Sequence, residues 1–322
     1  MKRAWTLILL SLLTYSFAAA CAETGKSSES QIESVTAAID DAPLIPDAHW
    51  HHIHINSVDP AKSVAYYSQH FAAEPGDFPG ADGAVKAQNV WILFDKADRP
   101  ASTAKNTAIW HIGWGAPDPL AEYKRQKEMG AAFEQPVTDI SRVFAEVPPE
   151  RFYYMYLTSP DGALVELNTA PTNDFGHIHM FSADPVSAGD WYVRIFGVEG
   201  RTRSAPGADG EPRFAKTGVQ VGPSSSHDFD QVNMIIYPQE YSRTAFRDDW
   251  RGVDTLQPTR GTVNDHIGIS VPDLDRAIAA LKRNGVTILQ EPQQLGAHAR
   301  RAFIEGPDAI AIELLELPDD GT

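Results

Sequence analysis

The chain has almost no cysteine: one thiol, Cys21, in 322 residues. That excludes an internal disulfide and any thiolate cluster, so stability rests on apolar cores and a metal could be held only by nitrogen and oxygen. Positive charge is also scarce. Lys plus Arg number 27 against 43 Asp plus Glu, a formal charge of −16. Such a surface repels phosphate backbones, so no nucleic-acid partner is expected. Long apolar runs are missing apart from "AWTLILLSLLTYSF" near the N-terminus, which is short for a membrane span. With "MKR" before it and "AAACAE" after it, this run reads as an export signal over residues 1–22. Cleavage before Cys21 would leave a lipidated N-terminus, the one route to membrane anchoring. Cleavage after Ala20 or Ala22 would leave none. Ala18 stands where lipoprotein signals usually have Leu, and both readings stay open. The expected location is outside the cytoplasm, periplasmic or lipid-anchored to the membrane. Residues 23–46 are polar and acidic and read as a tether, with a short helix at 31–39.

What the chain does have is histidine in a pattern. "HWHHIHINSVDP" places His49, His51, His52 and His54 within a few positions. The cluster dissolves once internal repeats are sought. Four segments share one plan, starting at His52, His111, His177 and His266. In each, Ile follows the His, and an Asp stands seven residues after it: Asp59, Asp118, Asp184 and Asp273. The His opens an alternating strand. The Asp is a helix N-cap, followed by Pro at the first helical position in three copies. Gly130, Gly197 and Gly285 stand where three of the helices should end. Strands follow, most clearly the hairpins "FYYMYLTSPDGALVELN" and "RRAFIEGPDAIAIELLEL". Each unit is therefore βαβββ. The first and third carry His-Ile-His, the second and fourth His-Ile-Gly, an ABAB order. This reads as a duplicated pair, one domain over 47–170 and another over 174–317, joined by "TAPTND".

Paired βαβββ units opening on a histidine strand resemble the vicinal oxygen chelate superfamily. It includes glyoxalase I, fosfomycin-resistance enzymes, bleomycin-binding proteins and extradiol dioxygenases. The resemblance implies an α+β fold in which each pair of units curls into a half-open β-barrel around one metal. Ligands come from first and last strands. Carried over residue by residue, it selects His52, His111, His177 and His266, and the glutamates Glu166 and Glu313. Taken in chain order, these give one centre of His52, His111 and Glu166, and a second of His177, His266 and Glu313. The resemblance also implies a fourth ligand, a carboxylate, from "NVWILFD" and "QVNMIIYP"; neither has Glu, and the nearest acid is Asp95.

Two His and one carboxylate suit a divalent metal: Fe(II) foremost, or Zn, Mn or Ni. Open coordination positions favour oxygen-dependent, dioxygenase-type chemistry on a small chelating substrate. A lyase, isomerase or transferase of the glyoxalase or fosfomycin kind is the rival, and an exported location disfavours glutathione as its co-substrate. A non-catalytic binding protein is the third reading. His54 and Asn56 share the His52 face of their strand, while Ile53 and Ile55 face the helix. His179 and Phe181 follow His177 likewise. His54 and His179 are candidates for acid–base work beside the metal, or for a hydrogen bond across the barrel. His49 and His51 are expected at the surface. Tyr156 stands where extradiol enzymes carry a tyrosine, although no His precedes it as in their pattern, and Phe303 is its counterpart. Trp91, Phe94, Trp110 and Trp114 either wall an apolar pocket or pack the core. Residues 201–229, rich in Gly, Pro and Ser, read as a long loop or lid.

Overall fold

Four strand–helix–three-strand units are present, each built as its sequence signals require. The computed structural model describes residues 42–102, 106–141, 151–204, 224–239 and 255–318. The export signal, Cys21 and the helix expected at 31–39 lie outside them, as do 205–223 of the expected lid. Unit one is β1 (His49–Ser57), α1 (Pro60–Phe71), β2 (Glu74–Gly76), β3 (Gly83–Ala87) and β4 (Val90–Lys96). Unit two is β5 (Ile109–Ala116), α2 (Pro119–Glu128), β6 (Phe133–Asp139), β7 (Tyr153–Thr158) and β8 (Leu164–Thr169). Unit three is β9 (Phe175–Ser182), α3 (Pro185–Phe196), β10 (Glu199–Ser204), β11 (Ser224–Phe229) and β12 (Val232–Pro238). Unit four is β13 (Asn264–Ser270), α4 (Leu274–Arg283), β14 (Ile288–Leu295), β15 (Ala299–Glu305) and β16 (Ala311–Glu316). The flanks of the expected loop at 201–229 are thus strands.

Each helix starts where its aspartate accepts a backbone N–H. Asp59 accepts from Lys62 at 3.2 Å, Asp118 from Ala121 at 2.9 Å, Asp184 from Ser187 at 3.1 Å and Asp273 from Arg276 at 2.8 Å. Such a cap contributes about 1 kcal/mol. Gly130, Gly197 and Gly285 follow α2, α3 and α4 with φ of 79°, 71° and 74°. That left-handed backbone ends a helix at little cost for glycine.

The units do not pair in chain order. One eight-stranded sheet runs β14-β15-β16-β13-β1-β4-β3-β2, joining units one and four. The other runs β10-β11-β12-β9-β5-β8-β7-β6, joining units two and three. The expected division into 47–170 and 174–317 therefore cuts through both sheets, and residues 41–322 form one compact unit. The connections supply a physical reason. Only residues 170–174 link β8 to β9, which keeps units two and three in one sheet. The longer stretches 97–108 and 239–263 give the chain length to change sheets. Each sheet is open at its edges, as a half-open barrel requires.

The core lies on the sheet faces that carry the helices. Ile53, Ile55, Ile112, Ile178, Ile267 and Ile269 are fully buried there. Trp114 of β5 stacks on Phe71 of α1 at 4.6 Å and packs against Tyr67 at 6.0 Å, tying one sheet to a helix of the other. Phe94 packs on Tyr67 at 5.5 Å. Trp114 and Phe94 are therefore core residues, not pocket walls. The end of the expected tether also belongs to the fold: Leu44 and Ile45 donate to the carbonyls of Arg194 and Ile195, and Ile45 is buried.

Candidate metal centres

The histidine strands meet at the middle of each sheet. β1 pairs antiparallel with β13, setting His52 opposite Gly268 and His54 opposite His266. β5 pairs with β9 in the same way, with Gly113 opposite His177 and His111 opposite His179. The glycine of each His-Ile-Gly is a clearance for the partner's histidine. A Cβ on Gly268 would lie 1.9 Å from the His52 ring, and one on Gly113 2.0 Å from the His177 ring. The last strands bring the carboxylates alongside: Glu313 on β16 pairs with Gly268, and Glu166 on β8 with Gly113.

All six sequence-selected ligands thus converge, but in a different partition. Centre one gathers His52, His266 and Glu313 with His54, and centre two gathers His111, His177 and Glu166 with His179. The expected sets, His52 with His111 and Glu166, and His177 with His266 and Glu313, do not form, because those residues lie in different sheets. In centre one the Nε2 atoms of His52 and His266 lie 3.2 and 3.0 Å from Glu313 Oε2. In centre two the Nε2 atoms of His111 and His177 lie 2.7 and 3.7 Å from Glu166 Oε2. All six residues are buried. The Nε2 atoms of His52, His111 and His177 find no well-formed hydrogen bond despite these approaches. Buried lone pairs aimed at one point without partners fit a cation there. Nitrogen and oxygen donors without sulfur suit Fe(II), Mn(II), Zn(II) or Ni(II).

A β-bulge precedes every ligand histidine. The registers skip His51 on β1, Asp265 on β13, Trp110 on β5 and Gly176 on β9. A bulge breaks the alternation of the strand and re-aims a side chain. Trp50 thereby joins the core, and His51, expected at the surface, turns inward and is buried. His49 is exposed, as expected, with its ring 3.1 Å from Asp230. In centre one the bulged residues hold the outer nitrogens of the ligands. His51 Nδ1 lies 2.8 Å from His52 Nδ1, and Asp265 Oδ1 lies 2.6 Å from His266 Nδ1. Burial lowers His51 to about 3, so its ring is neutral, and the Nδ1–Nδ1 contact fixes the orientation of the His52 ring. In centre two His111 Nδ1 lacks a hydrogen-bond partner.

The electrostatics follow from this packing. Burial alone would raise Glu313 and Glu166, but the close approach of His266 and His52, and of His111 and His177, holds both well below the usual range. Burial lowers His52 to about 4 and also lowers His54, His111 and His179. His266 alone is raised: burial opposes its charge, but bonds to Asp265 and Glu313 outweigh it. His54 stacks on His266 at 4.4 Å, with its Nε2 3.3 Å from Asp95. His179 stacks on His111 at 4.4 Å and meets the Tyr237 ring where centre one has Asp95.

The position of a fourth carboxylate is also visible. β4 sets Leu93 beside His54, and β12 sets Ile235 beside His179, matching Glu313 beside Gly268 and Glu166 beside Gly113. Apolar side chains thus occupy the place of a fourth ligand in both centres. Aromatic surroundings differ. Tyr156 pairs with Glu166 and lies 4.9 Å from His111, while Trp110 stacks on Phe181 at 4.9 Å. Phe303 takes the Tyr156 position in centre one, 5.0 Å from His266. Trp91 lies beside Phe78 at 5.8 Å, and Phe78 in turn lies 5.0 and 6.4 Å from the His51 and His52 rings. The sequence reading missed His51 and Asp265. The available signal was a polar residue directly before two of the four histidines.

Comparison with known proteins agrees with this architecture. The family described as "Glyoxalase/Bleomycin resistance protein/Dioxygenase superfamily" matches residues 174–314. Glyoxalase I from Zea mays is similar in fold, with a TM-score of 0.59 at 14% identity over 84% of this chain and 92% of that one. A candidate dioxygenase from Bacillus subtilis gives 0.53 at 12% identity, over 84% and 85%. No curated protein matches the sequence significantly. Residues 174–314 thus match the glyoxalase/bleomycin resistance protein/dioxygenase superfamily, and the four units of the chain carry the fold of glyoxalase I.

Proposed function

We propose that the protein is a divalent-metal-dependent enzyme of this superfamily that acts on a small organic substrate through adjacent oxygens, by oxygen-dependent chemistry with Fe(II). The observation that carries this reading is the ligand set: in each centre two histidine Nε2 atoms approach one glutamate oxygen, with His54 or His179 in the same cluster and Leu93 or Ile235 where a further carboxylate would stand. Three protein ligands on one face leave positions for a chelating substrate and for O₂. When bound, the metal supplies Lewis acidity and a template for the two substrate oxygens.

The chain's own residues would hold substrate and move protons. His54 is neutral near pH 7 because burial lowers it, so its ring can accept a proton from a substrate hydroxyl. Asp95, 3.3 Å from His54 Nε2, stabilises the imidazolium that results. In centre two His179 stands at the corresponding place, with Tyr237 where centre one has Asp95 and Tyr156 against His111, and Trp110 and Phe181 form an apolar wall. The same reading takes residues 1–22 as an export signal on their sequence pattern.

Metal analysis of protein purified without chelator, followed by O₂ uptake on catechol-like chelating substrates, tests the proposal. Iron in the centres with O₂ consumption supports it. Zinc, manganese or nickel with no O₂ uptake moves the activity to the lyase or isomerase class. Metal content unchanged in His52→Ala and Glu313→Gln shows that centre one is not a metal site.

A further inference from the structure

The two centres share ligands but not charge. In centre one, β15 presents Arg301 and Phe303 on one face, Phe303 standing opposite Glu313 in the ladder. Arg301 Nη1 lies 3.5 Å from Glu313 Oε1, and its guanidinium sits 5.7 Å from the centre of the Phe303 ring. Arg260 covers the same ring at 4.3 Å and reaches Asp265 Oδ1 at 3.2 Å. Two guanidinium groups therefore flank one phenyl ring that itself touches the ligand His266. On β7 of centre two the ladder places Tyr154 and Tyr156 where β15 has Arg301 and Phe303.

Neutralising the acids does not account for Arg301. In centre two Glu166 meets His111 and His177, and a tyrosine stands at the Arg301 position. Glu313 meets His52 and His266 likewise. The contact Arg301 makes with Glu313 is longer than a good charge-assisted hydrogen bond. Its Nε is enclosed without a hydrogen-bond partner. A guanidinium with an unused donor, beside a candidate metal centre and an apolar ring, is the recognition element for a planar oxyanion.

We propose that centre one selects substrates carrying a carboxylate or similar oxyanion besides their metal-chelating oxygens, bound by Arg301 and Arg260 across Phe303, while centre two takes uncharged aromatic chelators. This rests on the metal-centre reading above and names the substrate class of one of its sites. Trp110, Tyr156 and Phe181 give centre two aromatic faces.

The test uses the full chain loaded with Zn(II), which binds without turning over, and matched probes: catechol, 2,3-dihydroxybenzoate and 3,4-dihydroxybenzoate. His111→Ala silences centre two and His266→Ala silences centre one, with binding followed by calorimetry. In the His111→Ala protein the better dihydroxybenzoate binds roughly tenfold or more tighter than catechol. Adding Arg301→Gln removes that preference and leaves zinc content and catechol affinity within about twofold. Arg260→Gln, at a more exposed residue, weakens the preference and serves if Arg301→Gln does not fold. The His266→Ala protein shows no preference. A preference absent from the His111→Ala protein, or unchanged in both arginine variants with zinc retained, overturns the subsite. No zinc in the His111→Ala protein overturns the metal-centre reading instead, and the subsite falls with it.

Discussion

Replacing Gly268 by alanine should empty one metal centre without touching a ligand. The new Cβ would lie 1.9 Å from His52 Cε1, 2.0 Å from Nδ1 and 2.5 Å from Nε2. Ordinary carbon contacts begin near 3.5 Å, so the ring must retreat by about 1.5 Å. Metal–ligand distances tolerate about 0.2 Å, so His52 would no longer ligate. Overpacking of this kind costs roughly 1–3 kcal/mol of stability. Losing a ligand should cost more than the roughly 10–100-fold typical of losing an orienting partner. Equilibrium dialysis against Zn(II) with a competing chelator reads this directly. One tight site should vanish, and His111→Ala should remove the one that remains. Gly176→Ala is the control, because its Cβ would meet only Asp174 O at 3.8 Å. If Gly268→Ala binds two metals with wild-type affinity, the pairing of unit one with unit four around a shared ion is refuted.

Three further outcomes follow from the same geometry. Asp265→Asn weakens the bond to His266 Nδ1 and should lower zinc affinity at centre one by about 10–100-fold, or about 1.4–2.7 kcal/mol, with centre two unchanged in the same titration. Leu93→Glu adds a second carboxylate to centre one as a fourth ligand and should raise its metal affinity while reducing O₂ uptake there, since an open position closes. The metal-free protein should lose stability as pH falls from about 6.5 toward 4. Folded His52 sits at about 4, so over that interval the unfolded chain binds a proton that the folded chain refuses, on the order of 3 kcal/mol. Denaturant midpoints that stay flat across this window would contradict the burial of His52.

Much of the site could be read from sequence because an N-cap is a fixed landmark. Asp59, Asp118, Asp184 and Asp273 all cap their helices, so counting seven residues back finds each ligand strand in register. The glutamates were legible because each lies in the second strand of a hairpin with a recognisable turn. The partition was not, because a His-Ile-His strand needs a His-Ile-Gly strand opposite it, and units two and four both offer one. Connection length held the clue: residues 170–174 are too few to carry β9 away from the sheet of β8. His51 and Asp265 were hidden for another reason. A regular strand sends the residue before a ligand to the opposite face, and only the bulges bring these two inward.

The most direct test is anomalous scattering from crystals soaked in Zn(II) or Fe(II). Peaks bounded by His52, His266 and Glu313, and by His111, His177 and Glu166, are the predicted result. A peak coordinated by His52 together with His111, or crystals that hold no metal at either cluster, would contradict it.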